Sequence, residues 1–85
     1  DAAIAVYRAL CDMGRSVPDE VALIGCDGIE DTEYFPIPIA TIAQPLGAMC
    51  ETASRFLERR LNEPDIPAQR TIFEAELLLR ASSAP

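Results

Sequence analysis

Apolar side chains recur every three or four residues in two stretches of the chain, and this spacing predicts two amphipathic helices. The first is expected over residues 1–13, with Asp1 as its N-cap and Gly14 just past its end. The second is expected from about Pro45 to Leu61, since proline suits the first turn of a helix. Its apolar stripe consists of Leu46, Met49, Cys50, Ala53, Phe56, Leu57 and Leu61.

Three short apolar runs predict strands. Residues 20–25 form a nearly continuous apolar run, which suits a strand buried on both faces of a parallel sheet. Residues 39–43 form a second run, and residues 71–79 form a third that alternates at first and is then apolar. The order helix, strand, strand, helix, strand indicates an α/β fold with parallel strands.

The remaining stretches predict connections. Residues 29–38 carry acids, aromatic residues and prolines, and are expected to form a loop with at most one helical turn. Residues 62–67 predict a turn-rich connector, and residues 80–85 predict a polar tail.

Composition limits what this chain can do. It has 85 residues, of which 49% are hydrophobic, and a globular chain of this size has a marginal core because it buries only about 60% of its unfolded surface. With 14 acidic and 7 basic residues, its net charge of −7 has the wrong sign for binding phosphates. No apolar run approaches the ~20 residues that span a bilayer. The chain opens in a helical pattern without an initiator Met, so we expect it to be part of a longer polypeptide.

The cysteines predict no chemistry. Three cysteines and no histidine give neither a closed disulfide framework nor a Cys/His zinc site. Their wide spacing indicates reduced thiols in a cytosolic protein, and we expect all three to be small buried apolar groups. The sequence also lacks the GxGxxG, P-loop and GxSxG motifs. We therefore expect neither an enzyme nor a cofactor.

Asp27 is the main candidate for ligand binding. It follows the first predicted strand, and ligands of open α/β sheets gather beyond the carboxyl ends of strands. An ionised carboxylate there accepts two hydrogen bonds from adjacent hydroxyl or N–H groups. Gly25 and Gly28 on either side permit a close approach of the backbone. The alternative is an aspartate that only closes a turn by bonding its own backbone.

Three motifs in order resemble the LacI/GalR family of bacterial transcription regulators. Residues 17–27 (VPDEVALIGCD) are similar to the family pattern of a Val-Pro-Asp, a hydrophobic strand, and a Gly-aromatic-Asp end. Residues 36–45 (PIPIATIAQP) are similar to its Pro-Pro-Leu-Thr-Thr-Ile-x-Gln-Pro motif, and residues 77–82 (LLLRAS) to its closing Arg-x-Ser. Asp1 falls where the family has the Asp of an Asn-Asp pair that opens a helix. Together these motifs are spread over nearly the whole length of the chain, from Asp1 to Ser82.

The resemblance implies the C-terminal part of a two-lobed, periplasmic-binding-protein-like fold, with parallel sheets flanked by helices and a chain that crosses the hinge between lobes. Residues from 1 to about 43 would belong to the C-terminal lobe. Residues 45–68 would contain a helix that packs on the N-terminal lobe, and residues 70–80 a strand that returns to the C-terminal lobe. A DNA-binding domain would lie outside this chain.

The resemblance also assigns an effector site. Asp27 matches the family's effector-binding acid, and Gln44 and Leu46 match positions that line the cleft at the hinge crossing. Leu46 replaces an aromatic residue that stacks on sugar in some members, and Cys26 replaces the usual aromatic before the aspartate. The alternatives are a hydrogen-bonded polar residue at a strand end for Gln44, and plain helix core for Leu46.

Two aromatic residues are candidates for a subunit contact. Tyr34 and Phe35 lie on a loop that the family uses in its two-fold dimer interface. The alternative is local packing under that loop. The neighbouring acids Glu30, Asp31 and Glu33 lack the spacing of a calcium loop and predict a solvated face.

The function implied by the resemblance is the effector-sensing and dimerising segment of a cytoplasmic, LacI-type transcriptional repressor. Its partners would be a small molecule, namely a sugar, a second copy of the chain, and operator DNA bound through an N-terminal domain; no membrane partner is expected. The alternative is a periplasmic sugar-binding protein of an ABC transporter, which shares the fold. The Thr-Ile-x-Gln-Pro and Arg-x-Ser motifs favour the regulator.

Overall fold

A computed structural model describes residues 2–28 and 30–84. The expected order of helix, strand, strand, helix and strand is confirmed, with two short 3₁₀ segments added. Asp1, the expected N-cap, lies outside the described residues. The elements are α1 (Ala2–Asp12), β1 (Ile24–Cys26), a 3₁₀ helix (Glu30–Tyr34), β2 (Ala40–Ala43), α2 (Leu46–Asn62), β3 (Glu76–Leu78) and a second 3₁₀ turn (Ala81–Ser83).

The chain forms two compact units. The first unit comprises Asp1–Ala43 and Ala75–Pro85, and it contains α1 and the three strands. The second unit comprises Gln44–Glu74 and contains α2 with the connector that follows it. None of the helices in the described residues combines the length and apolarity that spanning a bilayer requires.

The sheet is mixed, which corrects the expectation of parallel strands throughout. β1 pairs in parallel with β2, Ile24 opposite Ala40, but β2 pairs antiparallel with β3. The register places Ala43 at the end of β2 opposite Glu76 at the start of β3. The chain therefore leaves the sheet and returns to it at the same end, and two neighbouring strands joined in this way must run in opposite directions.

The strands are shorter than predicted. β1 begins at Ile24 rather than Glu20 because the N–H groups of Glu20 and Val21 donate to the carbonyl of Ser16, at 3.1 and 3.2 Å, and form a turn. β3 is confined to residues 76–78, which have partners in β2. The prediction that β1 is buried on both faces is also wrong for the described chain, since Ile24 is 49% exposed.

Helix α1 ends as its sequence predicts. Gly14 adopts a left-handed φ of 69°, a conformation that glycine reaches without a Cβ clash. Its N–H donates to the carbonyl of Cys11 at 3.0 Å, and the N–H of Arg15 donates to the carbonyl of Leu10 at 2.9 Å. This pair of bonds satisfies two carbonyls at the end of the helix, as a Schellman motif does.

The buried core lies in the first unit and is small. Ala3 of α1 meets Val17, Leu23 and Ile39, and Ile39 is fully buried. Four partly buried side chains pack against this cluster: Tyr7, Leu10, Phe35 and Ile37. The core does not reach the thiols, which corrects the expectation of buried cysteines. All three are exposed and free of disulfide bonds: Cys11, Cys26 and Cys50.

The predicted polar tail is instead part of the folded unit. Ser82 is fully buried, and its N–H and carbonyl bond Pro38 and Leu23 at 3.0 and 2.9 Å. Its hydroxyl donates to the Leu23 carbonyl at 2.6 Å and accepts the N–H of Ala40 at 2.7 Å. The tail is fixed because its polar groups satisfy backbone groups beside β1 and β2, a partnership that composition alone does not reveal.

In the second unit, one arginine holds the connector after α2. The guanidinium of Arg60 donates to the carbonyls of Pro64 and Pro67 at 3.0 Å each, and also to that of Ile66. Gln69 donates through its side chain to the carbonyl of Phe56 at 2.9 Å. These bonds fold the connector back along α2, although α2 itself contains no buried residue.

Candidate functional site

The turn after β1 has an unusual backbone. Asp27 and Gly28 both have positive φ, 79° and 65°. Glycine adopts this region freely, and aspartate is one of the few other residues that tolerate it. The N–H of Asp27 donates to the carbonyl of Ile42 at 2.8 Å, and the N–H of Gly28 donates to Thr41 Oγ1 at 3.0 Å. The turn is therefore attached to β2 by two successive N–H groups.

The two glycines that flank Asp27 make room for the protein itself. A Cβ on Gly25 would lie 2.9 Å from the Cβ of Ala3 in α1. A Cβ on Gly28 would lie 2.9 Å from the Cβ of Ala43 and 3.1 Å from its Cα. The close backbone approach expected at these positions thus brings β1 against α1 and the turn against β2.

Asp27 borders an open groove. The groove encloses about 520 Å³. Cys26 beside it directs its thiol at Asp27 Oδ1, 3.7 Å away, and both residues are exposed. This arrangement places one carboxylate at the rim of a mainly apolar surface. That surface is formed by α1, by β1 with the residue before it, and by one residue of β2: Ala2, Ala3, Val6, Leu23, Ile24 and Ile42.

Gln44 and Leu46 belong to the second unit. The carbonyl of Gln44 accepts the N–H of Leu46 at 2.9 Å, across the point where α2 begins. Pro45 is the N-cap rather than the first helical residue, one position from the expectation. Leu46 is 58% exposed, so the described residues do not bury it as helix core.

Tyr34 and Phe35 lie in different surroundings. Tyr34 is 82% exposed at the end of the 3₁₀ helix. Phe35 is half-buried, and its ring centroid lies 5.3 Å from that of Tyr7 at an interplanar angle of 56°. Desolvation by burial raises the pKa of Tyr7, and a hydrogen bond with Cys11 adds to the rise. Phe35 therefore contributes to packing within the unit, while Tyr34 presents its ring to the surface.

No individual role was expected from the sequence for three polar residues that link segments of the first unit: Thr41, Arg80 and Ser82. Thr41 is 2% exposed and bonds the Asp27–Gly28 turn. Arg80 donates to the hydroxyl of Thr32 at 3.3 Å and to the carbonyl of Ile39 at 2.9 Å, so it links the 3₁₀ helix to the start of β2. Ser82 attaches the C-terminal segment to the residues beside β1 and β2 through its buried hydroxyl. The signals were present, because Thr41, Arg80 and Ser82 all lie in motifs that resemble the LacI/GalR pattern.

Comparison with protein families identifies the fold. Residues 1–83 match the family model described as a periplasmic binding protein-like domain. The chain belongs to this family. The α/β fold expected from the motifs is thereby confirmed.

Individual relatives confirm the resemblance to LacI-type regulators. The ribose operon repressor of Escherichia coli K12 is 35% identical over 95% of this chain, which spans 24% of that protein. A LacI family regulator of Enterococcus faecium, solved with bound ribose, is 31% identical, with a TM-score of 0.83, over 94% of this chain and 30% of its own. A LacI family regulator of Arthrobacter sp. FB24, solved with lactose, is 33% identical, with a TM-score of 0.85, over 96% of this chain and 31% of its own. This periplasmic binding protein-like chain thus spans about a quarter of the length of the curated relatives it matches.

Proposed function

We propose that this chain is the effector-sensing and dimerising segment of a LacI-type transcription regulator, a repressor whose effector is a sugar. The observation that carries the proposal is the position of Asp27. It lies just past the carboxyl end of a parallel strand, where α/β folds bind ligands, in a turn bonded to β2. The sugar complexes of the Enterococcus and Arthrobacter relatives support a carbohydrate as the ligand class.

The chemistry of the Asp27 region suits a sugar. A carboxylate accepts hydrogen bonds from two neighbouring hydroxyls, and such charge-assisted bonds are stronger than neutral ones. The apolar surface beside Asp27 suits the C–H face of a sugar ring. Gln44 and Leu46 are assigned to the same effector site on the family resemblance, as residues that line the cleft where the chain crosses between lobes.

The lobe assignment is part of the proposal. Residues from 1 to about 43 and 70–80 are assigned to the C-terminal lobe, and residues 45–68 to a helix that packs on the N-terminal lobe. The division of the chain after Ala43 supports the first boundary, whereas the second unit continues to Glu74, past the assigned start of the returning strand at residue 70. The apolar face of α2 supports the lobe assignment too, because Leu57 and Leu61 are 60% and 72% exposed and need a further surface to cover them.

Regulation would follow from linkage between sites. Effector binding favours one arrangement of the lobes, and a DNA-binding domain outside this chain responds to that arrangement. Tyr34 and Phe35 are proposed to contact a second copy in a homodimer. In this account the chain performs no chemistry, holds no cofactor and acts in the cytoplasm. The acidic charge of −7 agrees with DNA contacts made elsewhere in the protein.

The proposal is tested by titrating the full-length protein with ribose and lactose in a calorimeter. Binding of at least one sugar is expected, and the same sugar should change the affinity of the protein for DNA taken from upstream of its own gene. A protein that binds sugar but no DNA would support the transporter alternative. A protein that binds none of a panel of pentoses, hexoses and disaccharides would contradict the proposed effector class.

A further inference from the structure

We propose that Thr41 is a positioning residue that holds Asp27 in the geometry required to bind the effector. The inference rests on the proposed function, because it assumes that Asp27 contacts the effector. Thr41 would not touch the sugar. It would act through the backbone N–H of Gly28, which immediately follows the binding residue.

The location of Thr41 suits this role. It lies in β2, opposite Gly25 of β1 in the parallel register, and it is 2% exposed. Its Oγ1 accepts the N–H of Gly28 at 3.0 Å. The hydroxyl is shielded from water and the bond that it accepts is part-buried, so water replaces this acceptor less readily than it would at the surface.

The turn depends on a side chain at this position. Of the two backbone N–H bonds described between the turn and β2, the one from Asp27 ends on the backbone carbonyl of Ile42, which any residue supplies. The bond from the N–H of Gly28 ends on a side-chain hydroxyl, which only a threonine or a serine supplies in that place. The identity of residue 41 therefore decides whether the second bond exists.

That bond helps to hold the backbone at Asp27. Its φ of 79° lies in a region that aspartate tolerates but that is less favourable than negative φ, so bonds that hold the turn favour this conformation. Without the bond from Gly28, the turn keeps the bond from the Asp27 N–H to Ile42 but loses a constraint against relaxation toward negative φ. Such a change rotates the Asp27 side chain away from its present direction. Binding would weaken even though no contact to the sugar had been removed.

Two variants of the full-length protein separate the hydroxyl from the rest of the side chain. Thr41→Val keeps the branched shape and removes the acceptor, whereas Thr41→Ser keeps the acceptor. With ribose and lactose as probes, Thr41→Val is expected to weaken binding about fivefold or more, the effect of losing one part-buried hydrogen bond that holds Asp27 in position. Thr41→Ser should bind within about twofold of the wild type. If the Val variant does not fold, Thr41→Ala, which also lacks the acceptor, replaces it.

A double-mutant cycle with Asp27→Asn tests whether Thr41 acts through Asp27. In the Asp27→Asn background, Thr41→Val should cause less than about a twofold further loss, because the charge-assisted bonds that depend on the position of residue 27 are already lost. An equal loss in both backgrounds would assign Thr41 a general structural role and overturn the inference. Amide exchange provides a readout without ligand: the Gly28 N–H should exchange faster in Thr41→Val than in Thr41→Ser.

Failure of the inference is distinguishable from failure of the proposed function. If Asp27→Asn weakens binding and Thr41→Val does not, the role of Thr41 is refuted and the effector site stands. If Thr41→Val and Thr41→Ser lose affinity equally, the hydroxyl is not the cause and the inference is again refuted. If the wild type binds no sugar, or Asp27→Asn binds as well as the wild type, the proposed function fails and the role of Thr41 fails with it.

Discussion

Ser82 connects the C-terminal segment to Leu23, which precedes β1, and to Ala40, the first residue of β2. Four hydrogen bonds converge on this fully buried residue, two of them through its hydroxyl. Removing the hydroxyl leaves the carbonyl of Leu23 and the N–H of Ala40 without that partner. A buried polar group without a partner costs more free energy than the bond itself contributes.

Ser82→Ala is therefore expected to lower the free energy of unfolding by about 2–4 kcal/mol, measured by urea denaturation of the full-length protein. The matched control is Ser83→Ala. The Ser83 hydroxyl makes a local, part-buried bond to the carbonyl of Arg80 at 3.0 Å, so its loss should cost less than about 1 kcal/mol. Equal losses in the two variants would show that Ser82 does not have the role described.

The hydrogen bonds to Glu20 predict that the stability of the fold depends on pH. The backbone N–H of Ser16 at 2.8 Å, then Arg15 and the Ser16 hydroxyl, hold the pKa of Glu20 below its usual value of 4.5. A carboxyl whose pKa is lowered on folding stabilises the folded state above its unfolded pKa. That contribution should be complete at neutral pH and disappear as the pH falls from about 4.5 through the lowered pKa.

The stability difference between wild type and Glu20→Gln should therefore shrink on acidification below about pH 4.5. Denaturant unfolding at a series of pH values measures this difference. A difference that stays constant with pH would contradict the assigned hydrogen bonds. An NMR titration of the Glu20 carboxyl gives an independent check on the lowered pKa.

Sequence predicted some individual residues and missed others. Gly14 ends α1 and Asp27 follows a strand end, as expected, because both signals depend on neighbours along the chain. Thr41 and Ser82 were missed because their partners are distant in sequence: Ser82 bonds residues more than forty positions away. The polar composition of residues 80–85 predicted a solvent-exposed tail. Ser82 is buried instead, because it forms hydrogen bonds with residues that are distant in sequence.

At the scale of elements, the 3₁₀ helix and the residue after it combine two roles. Tyr34 at its end is 82% exposed, and Phe35 packs on Tyr7. Tyr34 is therefore the sharper probe of the proposed dimer contact, since aromatic residues contribute strongly to interfaces. Tyr34→Ala is expected to weaken dimerisation in sedimentation at several protein concentrations, with little change in the stability of the subunit.

Phe35→Ala should behave differently. Loss of the half-buried ring against Tyr7 is expected to lower stability by about 2 kcal/mol at every protein concentration. Any contribution of Phe35 to the dimer would add a loss that depends on concentration. If both variants dimerise as tightly as the wild type, the interface role of this segment is refuted.

The boundaries of the helices are predicted from the sequence more accurately than those of the strands. Both helices agree with the prediction to within one residue at each end, because helical periodicity and capping are local. The strands are misplaced because a strand exists only where a partner strand lies. β1 starts four residues late because Glu20 and Val21 form a turn with Ser16 instead of pairing with β2, and the antiparallel β3 follows from where the chain returns to the sheet.

At the scale of the whole molecule, the two units have little buried apolar surface. In the described residues the buried hydrophobic side chains are Ala3, Val17, Leu23, Ile39 and Ala40. The second unit contains α2, which has no buried residue. A core this small does not offset the entropy of ordering the chain. The sequence anticipated this weakness, because 85 residues and no disulfide framework predict a marginal core.

Residues 1–85 expressed alone are therefore expected not to unfold cooperatively. Circular dichroism during heating should show a broad, shallow change rather than a sharp two-state transition. The full-length protein, in which the proposed second lobe covers α2, serves as the control and should melt sharply. A sharp transition in the isolated chain would contradict the assignment of its helix to a second lobe.

The position of Asp27 carries the functional account, and its substitution tests that account most directly. Asp27→Asn keeps the size of the side chain and tolerates positive φ, but it removes the charge that strengthens the bonds to sugar hydroxyls. Calorimetric titration of the full-length variant, with the sugar that the wild type binds, should show affinity weakened by at least about 1.5 kcal/mol. Affinity equal to that of the wild type would contradict the assignment of Asp27 to the effector site.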